Sequence, residues 1–275
     1  MTFRYRRVLR SCCALLAGGL ILTGCATDGG NERSDGRPDP STAATPSGEP
    51  APSPTPTRLG FTADPARAPK TTADAKRLAL AVVAGPDSWG PDFVERTPYL
   101  STDDHWPVLG RGCVWEAGVR PSTVLYSVTA SSEIPAGSGR GQLRVSSTVT
   151  VHRTETAADW EMAETLEEAL RCPEQGLRDG ERITKLISIG NPFGVGGNFT
   201  ASDSLGEMGR YHNDAAKDGP NGQKYAWYQS RVGQVTVAAV VKGAPGHTDK
   251  EIDSAQVQAL VAMIGRAEKL LEAQS

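Results

Sequence analysis

A proline-rich segment near the amino end is the feature that most restricts what this chain can fold into. Between residues 26 and 70, nine of the 19 prolines alternate with Gly, Ser, Thr and charged residues, and large apolar side chains are almost absent. Such a segment cannot bury enough apolar surface to offset the entropy lost on ordering, so we predict a disordered stem over 25–70. The folded part is predicted to be residues 71–275, a length that suits one globular domain.

The first 24 residues have the pattern of a secretory signal peptide. Residues 1–10 contain four arginines and no acidic residue, and residues 11–22 are apolar or small. Twelve helical residues extend only about 18 Å, whereas the hydrocarbon core of a membrane is about 30 Å thick. We therefore predict that residues 1–24 direct export and do not remain as a membrane span. The adjacent Arg6 and Arg7 leave the export route open between the general secretory and twin-arginine pathways.

The end of this apolar segment, Leu22-Thr23-Gly24-Cys25, resembles the lipobox of bacterial lipoproteins. The resemblance implies that Cys25 receives a diacylglyceryl group, that the chain is cut before it, and that the new amino group is acylated. Several acyl chains anchor a protein stably, at about 0.8 kcal/mol for each buried methylene. The expected location is the extracytoplasmic face of the cell membrane, with the lipid membrane as the partner of acylated Cys25. The alternative is an incidental cysteine near the end of a signal peptide.

The charge of the chain argues against nucleic acid as a partner. The full sequence has 29 basic and 32 acidic residues, and loss of the four arginines of the signal peptide leaves 25 basic residues and a formal charge of −7. A nucleic-acid-binding protein would show a basic patch and a high pI. The same charge disfavours electrostatic adhesion to anionic lipid.

Three cysteines remain after removal of the signal peptide. If Cys25 carries lipid, Cys113 and Cys172 form an even pair in an oxidising compartment, and we predict a disulfide between them. The rival interpretations are a metal site and a thiol nucleophile. Neither cysteine lies in a CxxC motif or beside paired histidines, as zinc ligands often do, and a catalytic thiol needs a neighbouring base and a protected reduced state.

Local patterns at the start of the folded part predict a helix, a loop and then strands. Thr71 and Asp74 have the spacing of a helix cap, which predicts a helix over about 72–84. Residues 85–112 are rich in Pro, Gly and Asp and predict a long loop. Three strands are predicted next, from Val114, over 122–130 and over 142–154. The third alternates apolar and polar residues, as half-buried strands do, and its pattern places His152 on the exposed face.

Residues 154–172 change to a helical period. Thr156 and Asp159 can cap this helix, and Cys172 lies at its end. The acidic residues of the helix are predicted to face solvent. The predicted buried stripe consists of Trp160, Ala163, Leu166 and Leu170.

The remaining sequence predicts further strands and a last helix. The predicted elements are a strand over 183–190, a Gly-rich bend over 191–200, a long loop over 201–222, a hairpin over 225–243 that turns at Gly233-Gln234, and a helix over about 249–272 capped by Thr248 and Glu251. The second strand of the hairpin is apolar on both faces and is expected near the centre of a sheet. The order predicts an α+β fold, a mostly antiparallel sheet with packed helices and one disulfide.

The layout over about 110–275 resembles the PknH-like extracytoplasmic sensor domains of actinobacteria, which also occur as free lipoproteins. The matching pieces are Ala169-Leu170-Arg171-Cys172-Pro173, the hairpin around Ser230-Arg231-Val232-Gly233, and the closing amphipathic helix. The resemblance implies a membrane-tethered domain that senses or binds a ligand. The segment Gly112-Cys113-Val114-Trp115 is equally similar to other actinobacterial lipoprotein families of unknown function.

Motifs that carry catalysis are missing from the sequence. It contains no GxSxG, SxxK, HExxH or P-loop motif, and the Gly-rich bend lacks the Lys-Ser/Thr pair of a phosphate-binding loop. We therefore expect no catalytic residue, cofactor or metal. A hydrolase with an unrecognised arrangement of residues remains an alternative.

Two segments are candidates for ligand binding. The densest polar cluster is Asp103-Asp104-His105-Trp106, which either lines a pocket or is a solvated loop with a packed Trp. The predicted loop 201–222 is a candidate rim of a site because long loops in compact domains often carry function. Its polar residues are Asp203, Glu207, His212 and Asp214, and Tyr225 and Trp227 either form the floor of such a site or pack in the core.

Two functions follow from these expectations. The first is an extracytoplasmic module that binds or senses a small ligand or a cell-envelope component, which requires a concave pocket with apolar walls and a few polar groups. The second is a structural lipoprotein that docks on an envelope protein, which requires an exposed apolar patch.

Overall fold

The computed structural model of the protein describes residues 61–190, 201–216 and 219–273. Cys25, the predicted signal peptide, most of the predicted stem and the Gly-rich segment 191–200 lie outside the described residues. The described α-helices are α1 (Thr72–Val82), α2 (Glu155–Arg171) and α3 (Asp249–Leu271). The described strands are β1 (Val94–Leu100), β2 (Pro107–Leu109), β3 (Trp115–Ala117), β4 (Val124–Ile134), β5 (Leu143–His152), β6 (Gln175–Arg178), β7 (Glu181–Gly190), β8 (Asp203–Asn213), β9 (Gln223–Val232) and β10 (Val235–Lys242).

Eight of these strands form one antiparallel sheet that curls into a half-barrel. Their order is β1-β4-β5-β10-β9-β8-β7-β6, and β2 pairs with β3 separately. The apolar strand β10 lies between β5 and β9, as its sequence predicts, and the β9–β10 hairpin turns at Gly233-Gln234. The predicted α+β class, with a mostly antiparallel sheet and packed helices, is confirmed for the described residues.

The two faces of the sheet differ in polarity. Val149 on β5 is directly opposite Val237 on β10, and such pairs place their side chains on the same face. These apolar residues meet α1 and α3 in the main core. The other face presents polar residues such as Thr150 and Thr236, and α2 packs on that face. The alternation of β5 thus separates an apolar core from a polar layer.

Each described α-helix begins after a threonine whose hydroxyl accepts a hydrogen bond from the first turn. Thr71 and Thr248 cap α1 and α3 as predicted, and Thr248 forms a capping box with Glu251. Thr154 caps α2 in place of the predicted Thr156, because the chain enters the helix directly after β5. Within the described ranges, no helix combines the length and apolarity needed to cross a membrane.

The predicted buried stripe of α2 is wrong. Trp160 is 66% exposed and Leu170 is 81% exposed. The apolar residues that α2 buries are Ala158, Met162 and Ala169. The helix is rotated because the sheet face beneath its first half is polar, so Glu161 and Thr165 turn toward the sheet and form hydrogen bonds there. Near the end of the helix, Ala169 packs in a second apolar cluster.

Two segments predicted as long loops contain strands, so these loop predictions are wrong. Residues 85–112 include β1 and β2, and residues 201–222 include β8. The sequence of β8 contains two glycines and several charged residues, which gives it little intrinsic preference for a strand. It forms a strand because β7 and β9 pair with it on both sides.

The predicted disulfide between Cys113 and Cys172 is present, with a Cα–Cα distance of 5.5 Å. Cys172 directly follows α2, and the carbonyl of Cys113 accepts a 2.8 Å hydrogen bond from the amide of Gly176 on β6. Trp115 Nε1 on β3 also donates to Gln175 Oε1 at 2.8 Å. The disulfide therefore joins the end of α2 to a segment that lies against β6.

Residues 61–70, which precede the predicted start of the domain, contact the fold. Phe61 packs against the main core, and the amide of Asp64 donates to the carbonyl of Leu271 at 2.8 Å. Gln234 Nε2 donates to the carbonyl of Pro69 at 3.0 Å. The chain thus enters the fold beside the end of α3.

Candidate ligand-binding site

A cavity of about 320 Å³ opens at one end of the half-barrel. Tyr211 and Asn213 at the end of β8 line it, together with Ala215 and Ala216 in the following turn. Part of the segment 201–222 thus borders a cavity, as a strand end and a turn. The other described residues of the lining are Ala136, Gly141, Gln142, Arg144, Lys242, Gly243, Ala244 and Pro245.

Strand register brings two cations to this cavity. Lys242 at the end of β10 is directly opposite Arg144 at the start of β5, so both side chains lie on the same face of the sheet. Nζ of Lys242 lies 5.5 Å from the centre of the Tyr211 ring, within the range of cation–π attraction. The cavity therefore has a cationic side built by three strands.

One buried carboxylate lies behind these cations. The Glu181 side chain is 4% exposed and accepts a 2.8 Å hydrogen bond from Nη1 of Arg144. Arg178 also donates to Glu181, and Nζ of Lys242 lies 3.4 Å from it. Burial opposes ionisation of Glu181, but the hydrogen bond from Arg178 and the charges of Lys242 and Arg178 lower its pKa to about 2. Glu181 is thus an anion that three cations share.

Lys242 is a poorly compensated cation. Burial lowers its pKa, Glu181 opposes this change, and the charges of Arg178 and Arg144 lower the pKa further. The 3.4 Å distance to Glu181 is longer than a typical charge-assisted hydrogen bond. The ammonium group therefore has a weak internal partner and adjoins the cavity.

A separate polar network lies beneath the first half of α2. The Glu161 carboxylate accepts hydrogen bonds from Gln229 Nε2 at 2.8 Å and from the Thr236 hydroxyl at 3.0 Å. His152 Nε2 lies 2.5 Å from the same carboxylate. His152 is 2% exposed, so the prediction of an exposed histidine is wrong. This network fixes α2 on the sheet and is remote from the cavity-lining residues.

The second half of α2 covers another acidic residue, Glu207 on β8. Glu207 is 6% exposed, and Oε1 has no hydrogen-bond partner among the described residues. Burial and the charge of Glu168 raise the pKa of Glu207 to about 8. Burial, opposed in part by Arg171, raises the pKa of Glu168 to about 7. Tyr225 and Trp227, the predicted floor of a site, lie on the same sheet face as Glu207.

The Asp103-Asp104-His105-Trp106 cluster is tied into the fold. Asp103 accepts a 2.8 Å hydrogen bond from Lys76 and a 2.9 Å hydrogen bond from the Tyr126 hydroxyl. Its carbonyl accepts from Arg120. These bonds connect the segment to α1 and β4, and among the described residues no group of three His, Cys, Asp or Glu side chains is placed to hold a metal ion. The cluster fits a structural role.

The other polar residues of 201–222 do not meet at one place. His212 Nε2 lies 3.0 Å from the Thr184 hydroxyl, and Asp214 pairs with Arg182 at 3.1 Å. Asp203 is exposed at the start of β8, at the opposite end of the strand from Tyr211. The predicted site on a single loop is therefore replaced by a cavity to which this segment contributes one wall.

Sequence reasoning missed Arg144, Lys242 and Glu181. Arg144 lies on the polar face of a correctly predicted strand, and Lys242 ends an otherwise apolar strand. These positions are the available signals, but only the pairing of β5 with β10 brings the two cations together. No protein-family model matches the chain, and no curated protein matches it in a sequence search.

Proposed function

We propose that this protein is a lipid-anchored extracytoplasmic module that binds a small ligand in the cavity between β5, β8 and β10. The observation that carries the proposal is the cavity itself, whose volume of about 320 Å³ falls within the range of small-molecule sites. Its lining combines Arg144, Lys242 and Gln142 with apolar surface from Ala136 and Pro245. Small-molecule sites have this combination of a few convergent polar groups and an apolar wall.

The anchoring part of the proposal depends on the lipobox at Leu22–Cys25. Acylated Cys25 would hold the chain at the outer face of the cell membrane, and the Pro-rich stem would separate the cavity from the lipid surface. The test is Cys25→Ser, with the membrane and soluble fractions compared by immunoblotting. Release of the variant supports the anchor, whereas retention in the membrane fraction contradicts it.

Binding is favoured over catalysis because no catalytic motif occurs in the sequence. The proposed role also agrees with the resemblance to PknH-like sensor domains, whose members are membrane-tethered ligand-binding or ligand-sensing domains. In this proposal the protein acts by binding its ligand in the cavity, without a chemical reaction.

A thermal-shift screen of the detergent-solubilised full chain against envelope metabolites tests the proposed binding. A ligand that binds the native state raises the melting temperature according to RT ln(1 + [L]/Kd). Ala216→Phe, which places a ring in the cavity wall, should abolish the shift. Ala163→Phe on the exposed side of α2 is the matched control and should retain it. A melting temperature that no compound changes would count against a small-ligand function.

A second candidate function is docking on another envelope protein. The specific observation is that Trp160 and Leu170 project from the outer side of α2, while Val114 is also exposed near the disulfide. Contiguous exposed apolar surface marks protein contacts, so this candidate function requires Trp160 and Leu170 to contact the same partner. A photo-crosslinking amino acid at Trp160 should yield one defined adduct in intact cells, and Leu170→Glu should abolish it. The same probe at exposed Lys269 is the control.

A further inference from the structure

The charged residues that line the cavity have one sign. Arg144 and Lys242 are the charged residues among its described lining residues. Behind them, Arg178 adds a third positive charge and Glu181 supplies one negative charge. The cluster around Glu181 therefore carries a formal surplus of two positive charges.

Two neighbouring carboxylates, Glu133 directly opposite Arg144 and Asp214 beside the lining residue Asn213, are each already paired with an arginine outside the cluster. Glu133 lies 3.5 Å from Arg96. Asp214 lies 3.1 Å from Arg182. Each of these pairs is close to neutral, so the excess positive charge remains next to the cavity.

The donors on the two lining cations are incompletely used. Arg144 donates through Nε to Gln142 at 3.0 Å and through Nη1 to Glu181 at 2.8 Å. Nη2 of Arg144 forms no hydrogen bond to another described residue. Lys242 has three donor hydrogens and, besides its contact with the Tyr211 ring, a single long hydrogen bond to Glu181. Both side chains are thus able to donate into the cavity.

Building on the proposed function, we propose that the ligand of the cavity is a small molecule that carries a carboxylate or phosphate group on an apolar body. The oxyanion lies between Arg144 and Lys242 and accepts hydrogen bonds from both. The apolar body lies along Ala136, Ala215 and Pro245, which also line the cavity.

This assignment follows from the electrostatics of the cluster. The same three cations already hold one carboxylate, that of Glu181, so an oxyanion suits their geometry. A second anion would offset the surplus charge and provide the close partner that Lys242 lacks. A neutral ligand would leave two cations partly desolvated with one shared anion, which is unfavourable.

Matched probes distinguish the ligand class. Hexanoate and hexyl phosphate carry the proposed groups, and hexanamide is the neutral probe with the same apolar body. Binding to the detergent-solubilised full chain is measured by calorimetry at low and high salt. We expect at least one of the two anions to bind about tenfold or more tightly than hexanamide, and its affinity to fall as salt rises. The anion that binds more tightly identifies whether the natural oxyanion is a carboxylate or a phosphate.

Variants locate the binding. Lys242→Met should weaken anion binding about tenfold while the fold is retained, because Arg144 and Arg178 still pair with Glu181. Lys242→Arg should preserve much of the affinity. Lys250→Met, at an exposed position of α3, is the matched control and should have no effect.

The outcomes separate the ligand class from the proposed function. Equal binding of hexanamide and the anions, blocked by Ala216→Phe, would overturn the anion assignment and leave a ligand-binding cavity. Anion binding that Lys242→Met does not change would also overturn the assignment. If none of the probes binds but a neutral compound of the metabolite screen does, the anion assignment fails and the ligand-binding function stands. If nothing in either set binds, both the anion assignment and the ligand-binding function fail.

Discussion

Glu168 on α2 lies close enough to Glu207 on β8 for its charge to raise the pKa of Glu207, which burial has already raised. The two carboxyls belong to different elements that pack against each other. Both pKa values, about 7 and about 8, lie near neutrality. The carboxyl groups of Glu168 and Glu207, at the contact between α2 and the sheet, therefore lose their protons within the physiological pH range.

This pair predicts that stability decreases as pH rises. In the unfolded chain a glutamate has a pKa near 4.5, so between pH 4.5 and 8 the folded state binds more protons than the unfolded state. The contribution of Glu207 to the free energy of unfolding is fully present below pH 4.5. It decreases as pH rises and is lost once pH exceeds about 8. Glu207→Gln should remove about 4 kcal/mol of this pH-dependent loss of stability between pH 5 and pH 9. Urea denaturation across that range measures it.

The control for this prediction is Glu174→Gln, which changes an exposed carboxyl three residues beyond the end of the same helix. It should leave the pH dependence unchanged. Equal slopes for wild type and Glu207→Gln would show that Glu207 is ionised in the folded protein at pH 5, contrary to the raised pKa.

The Glu161 network predicts a large cost for removing one carboxylate. Glu161→Ala leaves Gln229, Thr236 and His152 without their shared acceptor in a buried layer. Unpaired buried polar groups are costly, so we expect a loss of roughly 3 kcal/mol in the free energy of unfolding. Chemical denaturation is the measurement, and Glu164→Ala should cost less than about 0.5 kcal/mol. Similar losses for the two variants would contradict the placement of Glu161 at the interface.

The rotation of α2 gives a prediction opposite to that of the sequence pattern. Met162 is buried and Trp160 is largely exposed. Met162→Ala should cost about 2–4 kcal/mol, whereas Trp160→Ala should change stability by less than about 0.5 kcal/mol. Thermal denaturation of both variants measures the difference. A larger loss of stability for Trp160→Ala than for Met162→Ala would show that the helix has the orientation predicted from its apolar stripe.

The disulfide predicts sensitivity to reductant. Reduction of Cys113–Cys172 should lower the free energy of unfolding by about 2–5 kcal/mol, because it releases a long loop and the end of α2. Melting curves with and without dithiothreitol measure this loss. The double variant with Ser at both positions should melt at the lower temperature and should not respond to the reagent. A wild-type melting temperature that dithiothreitol leaves unchanged would argue against the bond.

The sequence predicts the elements of this fold wherever one residue pattern is sufficient. The alternation of 142–154 defines β5, the threonine caps define the starts of α1 and α3, and Gly233-Gln234 defines a turn. β8 could not be predicted in this way because its strand conformation comes from its neighbours. The orientation of α2 depends on the polarity of a sheet face that only tertiary pairing creates.

The candidate site is less accessible to sequence reasoning than the fold. Arg144 and Lys242 are far apart in the sequence and have no motif in common, and strand register alone makes them neighbours. Glu181 has no feature in the sequence that marks it as buried. The sequence makes 201–222 a candidate because of its expected loop structure, whereas the segment contributes to the cavity through residues at the end of a strand and in the following turn.

The position of Cys113 beside β6 affects the outer edge of the sheet. β6 is the last strand in the sheet order. On that edge, the amide of Gly176 donates a hydrogen bond to the carbonyl of Cys113. Unprotected edge strands act as templates on which further copies of a chain add and aggregate. By keeping the Cys113 segment in place, the covalent bond to Cys172 covers part of this edge, so oxidation of the cysteine pair protects β6 against such pairing as well as stabilising the fold.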